Sequence, residues 1–103
     1  MFKLAFFVPH ADKEKVKQAV FAAGGGRIGN YDSCCFETQG TGQFRPLTGA
    51  QPALGEVGAL EQVGETKVEL VCEAARIDAV IRALKAAHPY EEPAYEVWRL
   101  EDF

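Results

Sequence analysis

The sequence predicts a ferredoxin-like α+β sandwich, with the element order βαββαβ and two helices on one face of an antiparallel sheet. Two segments have apolar residues at the spacing of an amphipathic helix, and each is flanked by segments typical of strands. A stretch rich in glycine and proline separates the two halves. This succession of a βαβ half, a turn-rich middle and a second βαβ half is typical of the fold.

The first half begins with residues 2–8, whose aromatic and β-favouring residues predict a strand that stops at Pro9. Asp12 is expected to cap the helix that follows, and the glycines at 24–26 are expected to end it. The apolar stripe of this helix consists of Val16, Ala19, Val20 and Ala23.

Residues 31–38 predict the second strand, with Cys34 and Cys35 side by side on it. Neighbouring side chains on a strand point to opposite faces, so we do not expect these two thiols to share a metal ion. Three cysteines in total make a poor disulfide framework, which fits a reducing, cytoplasmic location.

The second half contains a strand at residues 65–73, a helix that ends at His88 and Pro89, and a last strand at residues 95–100. Alternating apolar and charged residues identify the third strand. The apolar stripe of the second helix consists of Ile77, Val80, Ile81 and Leu84.

Composition limits the kinds of protein that this chain can be. With 103 residues and 48% hydrophobic content, residues 1–103 are expected to form a single domain. A net charge of −4 argues against a nucleic-acid partner, because phosphate binding needs clustered positive charge. No apolar run approaches the roughly 20 residues that span a bilayer, so we expect neither membrane insertion nor export.

Both helices of the predicted fold cover the same face of the sheet. The opposite face would stay uncovered in a monomer, and pairing with a second subunit would bury it. The sequence therefore predicts a homo-oligomer and leaves a dimer and a trimer as alternatives.

The predicted topology brings three distant segments to one end of the molecule: the turn after the first strand, residues 39–64, and residues 88–93. Two prolines in the last segment, Pro89 and Pro93, restrict the backbone that carries its polar side chains. We expect a small molecule or a protein partner to bind at this end. The candidate residues are His10, Arg45, His88, Tyr90, Glu91 and Glu92.

Residues 39–64 have turn residues at regular intervals, which indicates an ordered excursion. Its apolar residues are expected to pack on the domain or on a neighbouring subunit. These residues are Phe44, Leu47, Leu54, Val57 and Leu60.

No cofactor is identified by the sequence, although a divalent metal is an alternative ligand. His10, His88 and Glu91 offer the nitrogen and oxygen donors that zinc accepts, but their spacing matches no metal motif. A histidine at a helix C-terminus also interacts with the helix dipole. An enzyme that uses the same His, Glu and Tyr side chains is a second alternative, but no catalytic motif is present, so the sequence favours a binding protein.

Four segments together resemble the YqfO-type domain of the Nif-three-like family: residues 23–36, 40–46, 55–65 and 88–95. The resemblance covers nearly the whole chain and adds Gly40, Gly42, Phe44 and Tyr95 to the candidate site. It implies a fold similar to the CutA and PII proteins, which form trimers, and by analogy a regulatory or binding function. The di-metal site of larger Nif-three-like proteins lies in a flanking domain, so the resemblance implies no metal ligand or hydrolase activity here.

Overall fold

The computed structural model describes residues 1–103 and contains one four-stranded antiparallel sheet with two α-helices. The strand order is β2-β3-β1-β4, which confirms the ferredoxin-like prediction. None of the helices has the length and apolar content needed to cross a membrane. In chain order the elements are β1 (Phe2–Pro9), a 3₁₀ turn (His10–Asp12), α1 (Lys13–Ala22), β2 (Phe36–Phe44), β3 (Glu61–Cys72), α2 (Ile77–Ala87) and β4 (Tyr95–Arg99).

The hydrophobic core lies between the two helices and one face of the sheet. Alternate residues of the central strands β1 and β3 point into it, and both predicted helical stripes supply its other side. Each fully buried aliphatic or aromatic side chain contributes about 1.5–3 kcal/mol of transfer free energy. The buried residues are Leu4, Phe6, Val8, Val16, Val20, Val68, Leu70, Cys72, Val80 and Leu84.

Strand β2 begins five residues later than the sequence predicts and extends to Phe44. Residues 31–35 instead have irregular backbone with a bend at Ser33, whose φ is 57°, and the Cys34 N–H donates to the Gly26 carbonyl oxygen at 2.9 Å. The prediction that Cys34 and Cys35 occupy a strand is therefore wrong. Pairing with β3 draws Gly40 into β2 despite the low strand propensity of glycine, because backbone hydrogen bonds outweigh that preference.

Helix α1 lacks its predicted cap, and charged side chains attach it to β2. Asp12 stands at the N-cap position, but its side chain makes no capping hydrogen bond, so that prediction is wrong. The Glu37 carboxylate instead accepts hydrogen bonds from the Lys13 ammonium at 2.8 Å and the Lys17 ammonium at 2.6 Å. These two hydrogen bonds lower the pKa of Glu37, and the Glu37 bond raises that of Lys17.

Strand β3 pairs with its two neighbours over different lengths. Its pairing with β1 ends where Pro9 faces Glu65, whereas its pairing with β2 continues until Phe44 faces Glu61. The predicted start of β3 at residue 65 is therefore four residues too late. As a result, a two-stranded hairpin extends beyond the end of β1, and the molecule measures 46 × 24 × 24 Å.

The glycines at 24–26 do more than end α1. Gly24 and Gly26 have positive φ values of 111° and 76°, which residues with a Cβ rarely adopt. A Cβ at Gly26 would lie 2.7 Å from the Cys34 carbonyl oxygen and 2.9 Å from the Phe21 ring. The Gly26 N–H also donates to the Val71 carbonyl oxygen at 2.8 Å, so this glycine joins the α1–β2 turn to the sheet.

We expect Gly26→Ala to destabilise the fold more than Gly29→Ala. Both positions have positive φ, which costs an L-residue about 1–2 kcal/mol. Only Gly26 has close neighbours, however, since a Cβ at Gly29 would meet nothing within 4 Å. Overpacking at Gly26 should add about 1–3 kcal/mol. Urea denaturation measures both losses, and equal losses would contradict the packing role of Gly26.

Candidate functional site

A cleft of about 790 Å³ lies at the end of the sheet, between the β2–β3 loop and the α2–β4 turn. Its volume is within the roughly 300–1,000 Å³ range of small-molecule sites. Phe7 of β1 and Glu65 of β3 line it from the sheet, Phe44 and Arg45 line it from the hairpin, and Tyr90 lines it from the turn.

Backbone hydrogen bonds shape the loop that forms one wall of the cleft. The Gly58 N–H donates to the carbonyl oxygen of the buried Pro46 at 2.7 Å, which closes the base of the loop. The Gln51 N–H donates to Glu91 Oε1 at 3.2 Å and so connects the loop to the opposite turn. Four apolar residues of the segment are covered only in part by their own chain: Leu47, Leu54, Val57 and Leu60 are 42–64% exposed.

His88 fixes the α2–β4 turn to the sheet and does not line the cleft. Its Nε2–H donates to the Phe7 carbonyl oxygen at 2.7 Å, and its Nδ1 accepts the Tyr90 N–H at 3.1 Å. Both ring nitrogens are therefore occupied, and only 6% of the residue is exposed. The structure gives His88 a structural role.

His10 lies at the same end of the molecule but outside the cleft. Its Nδ1 forms a 2.8 Å hydrogen bond with Thr66 Oγ1, and the Thr66 hydroxyl donates to Gln39 Oε1 at 3.2 Å. His10 Nδ1 is therefore the donor to Thr66. A Cβ at Gly64 would lie 3.1 Å from His10 Nε2, so glycine leaves room for this ring.

Tyr90 has a buried hydroxyl group that lacks a hydrogen-bond partner. Burial first, and then the Glu65 carboxylate, raise the pKa of Tyr90 from 10.0 to about 12. Glu65 lies against Gly42, where a Cβ would overlap its carboxylate. The Tyr90 ring also contacts the rings of Phe44, at a centroid distance of 5.8 Å, and His88, at 5.0 Å.

The structure divides the ten candidate binding residues into two groups. Five of them line the cleft: Phe44, Arg45, Tyr90, Glu91 and Glu92. The other five do not: His10, Gly40, Gly42, His88 and Tyr95, of which Tyr95 lines a smaller neighbouring depression.

Three lining residues lie outside the segments that the sequence brings to this end: Phe7, Glu65 and Ala94. Phe7 and Glu65 were assigned to strands as ordinary sheet positions. Their alternation with the core residues Val8 and Thr66 indicated only that they face away from the helices. Their place in the cleft follows from the end of β1 and from the neighbouring turn, which local patterns do not report.

The residues considered for a metal do not form a set of ligands. No group of three His, Cys, Asp or Glu side chains is arranged to hold a metal ion. Of the candidate ligands, His88 uses both nitrogens and His10 uses Nδ1 in hydrogen bonds, while Glu91 accepts the Gln51 N–H. The three candidate ligands are therefore engaged separately and do not form one ligand group.

The fold and the cleft together define a ferredoxin-like domain with a ligand-sized, aromatic and acidic cleft at one end. No protein-family model matches the chain. It is 44% identical over 100 residues to the GTP cyclohydrolase 1 type 2 homolog of Halalkalibacterium halodurans, an alignment that covers 97% of this chain and 27% of the relative. The chain thus spans about a quarter of the length of that curated relative.

Solved structures agree with the sequence comparison. A Bacillus cereus protein related to NIF3 superposes with a TM-score of 0.84 at 42% identity, over 98% of this chain and 26% of that one. The chain is therefore homologous to one segment of the Nif3-like proteins, and its resemblance to their YqfO-type domain is confirmed. CutA1 from Pyrococcus horikoshii, at 17% identity, shares the fold with a TM-score of 0.69 over 100% of this chain and 86% of that one.

We expect Tyr90→Phe to leave the fold as stable as the wild type or to stabilise it. The hydroxyl is buried without a partner, and removing such a group relieves a desolvation cost of about 1–3 kcal/mol. Urea denaturation at neutral pH measures the change. A loss of stability above about 1 kcal/mol would show that the hydroxyl makes a hydrogen bond in solution.

The same variant tests the raised pKa of Tyr90. The measured quantity is the absorbance of ionised tyrosine in the wild type minus that in the variant. This difference should rise near pH 12 rather than near pH 10.0. Because the unfolded chain ionises first, the wild type should lose stability between these two values relative to the variant. A difference step centred near pH 10 would contradict the burial of the hydroxyl.

Proposed function

We propose that this chain is a small binding or regulatory module and that its ligand, a small molecule or a segment of a protein partner, occupies the cleft. The observation that supports this proposal is the convergence of three distant segments on one ligand-sized space. Phe7 comes from β1, Phe44 from the hairpin and Tyr90 from the α2–β4 turn. Concave sites with aromatic walls and a few polar groups are typical of ligand binding.

The walls of the cleft are built in a way that suits binding. His88 holds the turn to β1 through its hydrogen bond to the Phe7 carbonyl oxygen and orders the turn through the bond from the Tyr90 N–H, so this wall is preorganised. The opposite wall is attached across the cleft by only one hydrogen bond from the Gln51 N–H to Glu91. A firm wall facing a lightly attached one allows a ligand to enter and the loop to adjust around it, which also suits a regulatory loop.

Blocking the cleft should abolish binding without affecting the core. Ala53 is exposed and lines the cleft, whereas Ala59 is exposed in the same loop and does not line it. We expect ligands that raise the melting temperature of the wild type, in a panel of metabolites and nucleotides including GTP, to lose this effect in Ala53→Trp and keep it in Ala59→Trp.

The two tryptophan variants also decide where a ligand binds. Equal effects of a ligand on both variants would place its site outside the cleft. A broad panel that shifts the wild-type melting temperature nowhere would overturn the proposal of a small-molecule site, since ligand binding to the native state must stabilise it.

We also propose that copies of this chain associate through the face of the sheet that the helices leave open. The strand register places Phe36, Ala5 and Trp98 on that face. Phe36 is 69% exposed and Trp98 is 43% exposed, which is unusual for aromatic residues of a sheet that stays monomeric. The flanking residues Lys3, Lys67, Glu69 and Glu96 carry both charges, which suits a self-complementary contact.

Light scattering coupled to size exclusion tests this association. We expect the wild type to elute as a dimer or trimer and Phe36→Glu to shift toward the monomer, because a carboxylate would be buried in the contact. Tyr31→Glu is the control, since Tyr31 is 75% exposed on the α1–β2 turn and lies outside the strands. A wild-type monomer at all concentrations would contradict the proposal.

A further inference from the structure

We propose that the ligand of the cleft is an organic cation, meaning a small molecule with an ammonium or guanidinium group on an apolar body. This inference rests on the proposed function of the cleft. It adds the charge and the chemical class of the ligand, which follow from the side chains that line the cleft.

Negative charge dominates the lining of the cleft. Glu65, Glu91 and Glu92 face a single basic residue, Arg45. None of these four side chains forms a salt bridge, although the chain has five other pairs of charged side chains within 4.0 Å. The carboxylates of the cleft therefore have no paired cation within 4.0 Å, although Lys85 shares a smaller depression with Glu91 and Glu92, and a bound cation would complete the pairing.

The backbone adds to this negative potential. Helix α2 ends at Ala87, directly before the turn that carries Tyr90, Glu91 and Glu92. The C-terminal end of a helix carries a partial negative charge of about half an electron. No α-helix begins among the residues that line the cleft, so the positive end of a helix dipole does not offset this charge.

Aromatic rings provide the apolar part of the site. The rings of Phe44 and Tyr90 are tilted by 57° at a centroid distance of 5.8 Å, and Phe7 lies on the sheet side of the same space. Aromatic walls beside carboxylates are the usual surroundings of organic cations, because the ring faces are electron-rich. Phe7 already shows this preference within the chain, since Lys67 Nζ lies 6.0 Å from its ring centroid.

The Tyr90 hydroxyl places Glu65 beside the aromatic wall of the cleft. The hydroxyl is buried, and of the three acidic groups that raise the pKa of Tyr90, Glu65 acts most strongly. An ionised Glu65 can only accept hydrogen bonds, so Glu65 and the Tyr90 ring set a negative charge beside an aromatic face, which suits a bound cation.

Three probes with the same ring and different charge test the proposal: benzyltrimethylammonium, benzyl alcohol and benzylphosphonate. In calorimetric or NMR titrations of the full chain, we expect the cation to bind best and the anion worst. We also expect the cation to change the NMR chemical shifts of amides around Phe44 and Tyr90. These changes should be absent in Ala53→Trp. Higher salt should weaken binding of the cation.

Charge variants then identify the carboxylate that matters. Glu65→Gln should weaken binding of benzyltrimethylammonium about fivefold, the equivalent of about 1 kcal/mol for one contact between charges in a wet site. Glu101→Gln is the matched control, because it makes the same change of net charge on an exposed residue outside the cleft. Melting temperatures of both variants check that the fold is intact.

The outcomes separate this inference from the proposed function. Binding of benzylphosphonate or benzyl alcohol in the cleft, but not of the cation, would overturn the inference and leave the cleft as a binding site. Equal weakening of cation binding by both glutamine variants would reduce the effect to net charge and would also overturn it. Failure of every probe and of the whole ligand panel would overturn both proposals.

Discussion

The structure depends on the point at which β1 stops pairing with β3. Pro9 faces Glu65 at the last position of that ladder, and proline has no N–H with which to extend a strand. The pairing of β3 with β2 continues for four more residues, to Phe44 and Glu61. The sheet therefore changes from three strands to a two-stranded hairpin at this level, since β4 already ends its pairing with β1 at Phe6, and the space left beside the hairpin becomes the cleft.

His88 stabilises one wall of that space. Its Nε2–H to the Phe7 carbonyl oxygen and its Nδ1 to the Tyr90 N–H connect the α2–β4 turn to β1. A buried polar side chain with both nitrogens satisfied stabilises the fold, whereas removing it would leave two backbone groups without partners. A residue that looks like a ligand in the sequence is thus a support for the wall that carries Tyr90.

Charge is distributed differently beside α1 and around the cleft. Beside α1, the Glu37 carboxylate is neutralised by Lys13 and Lys17, and this network holds the helix to the edge strand. Around the cleft, three carboxylates remain without a salt bridge. Satisfied charges hold structure together, and unsatisfied charges gathered in a concave, aromatic space are available for an external partner.

The sequence by itself determined the order of elements, both helical stripes and the meeting of residues 10, 39–64 and 88–93 at one end. Those features follow from periodicities of 3.6 and 2 residues and from the direction of the chain, which are local properties. Only the tertiary structure decided that Gly40 belongs to a strand, that His88 is structural and that Glu65 lines the cleft. Each of these depends on a partner more than 20 residues away, such as Glu65 for Gly40 and Phe7 for His88, and no local pattern encodes the energy of such a contact.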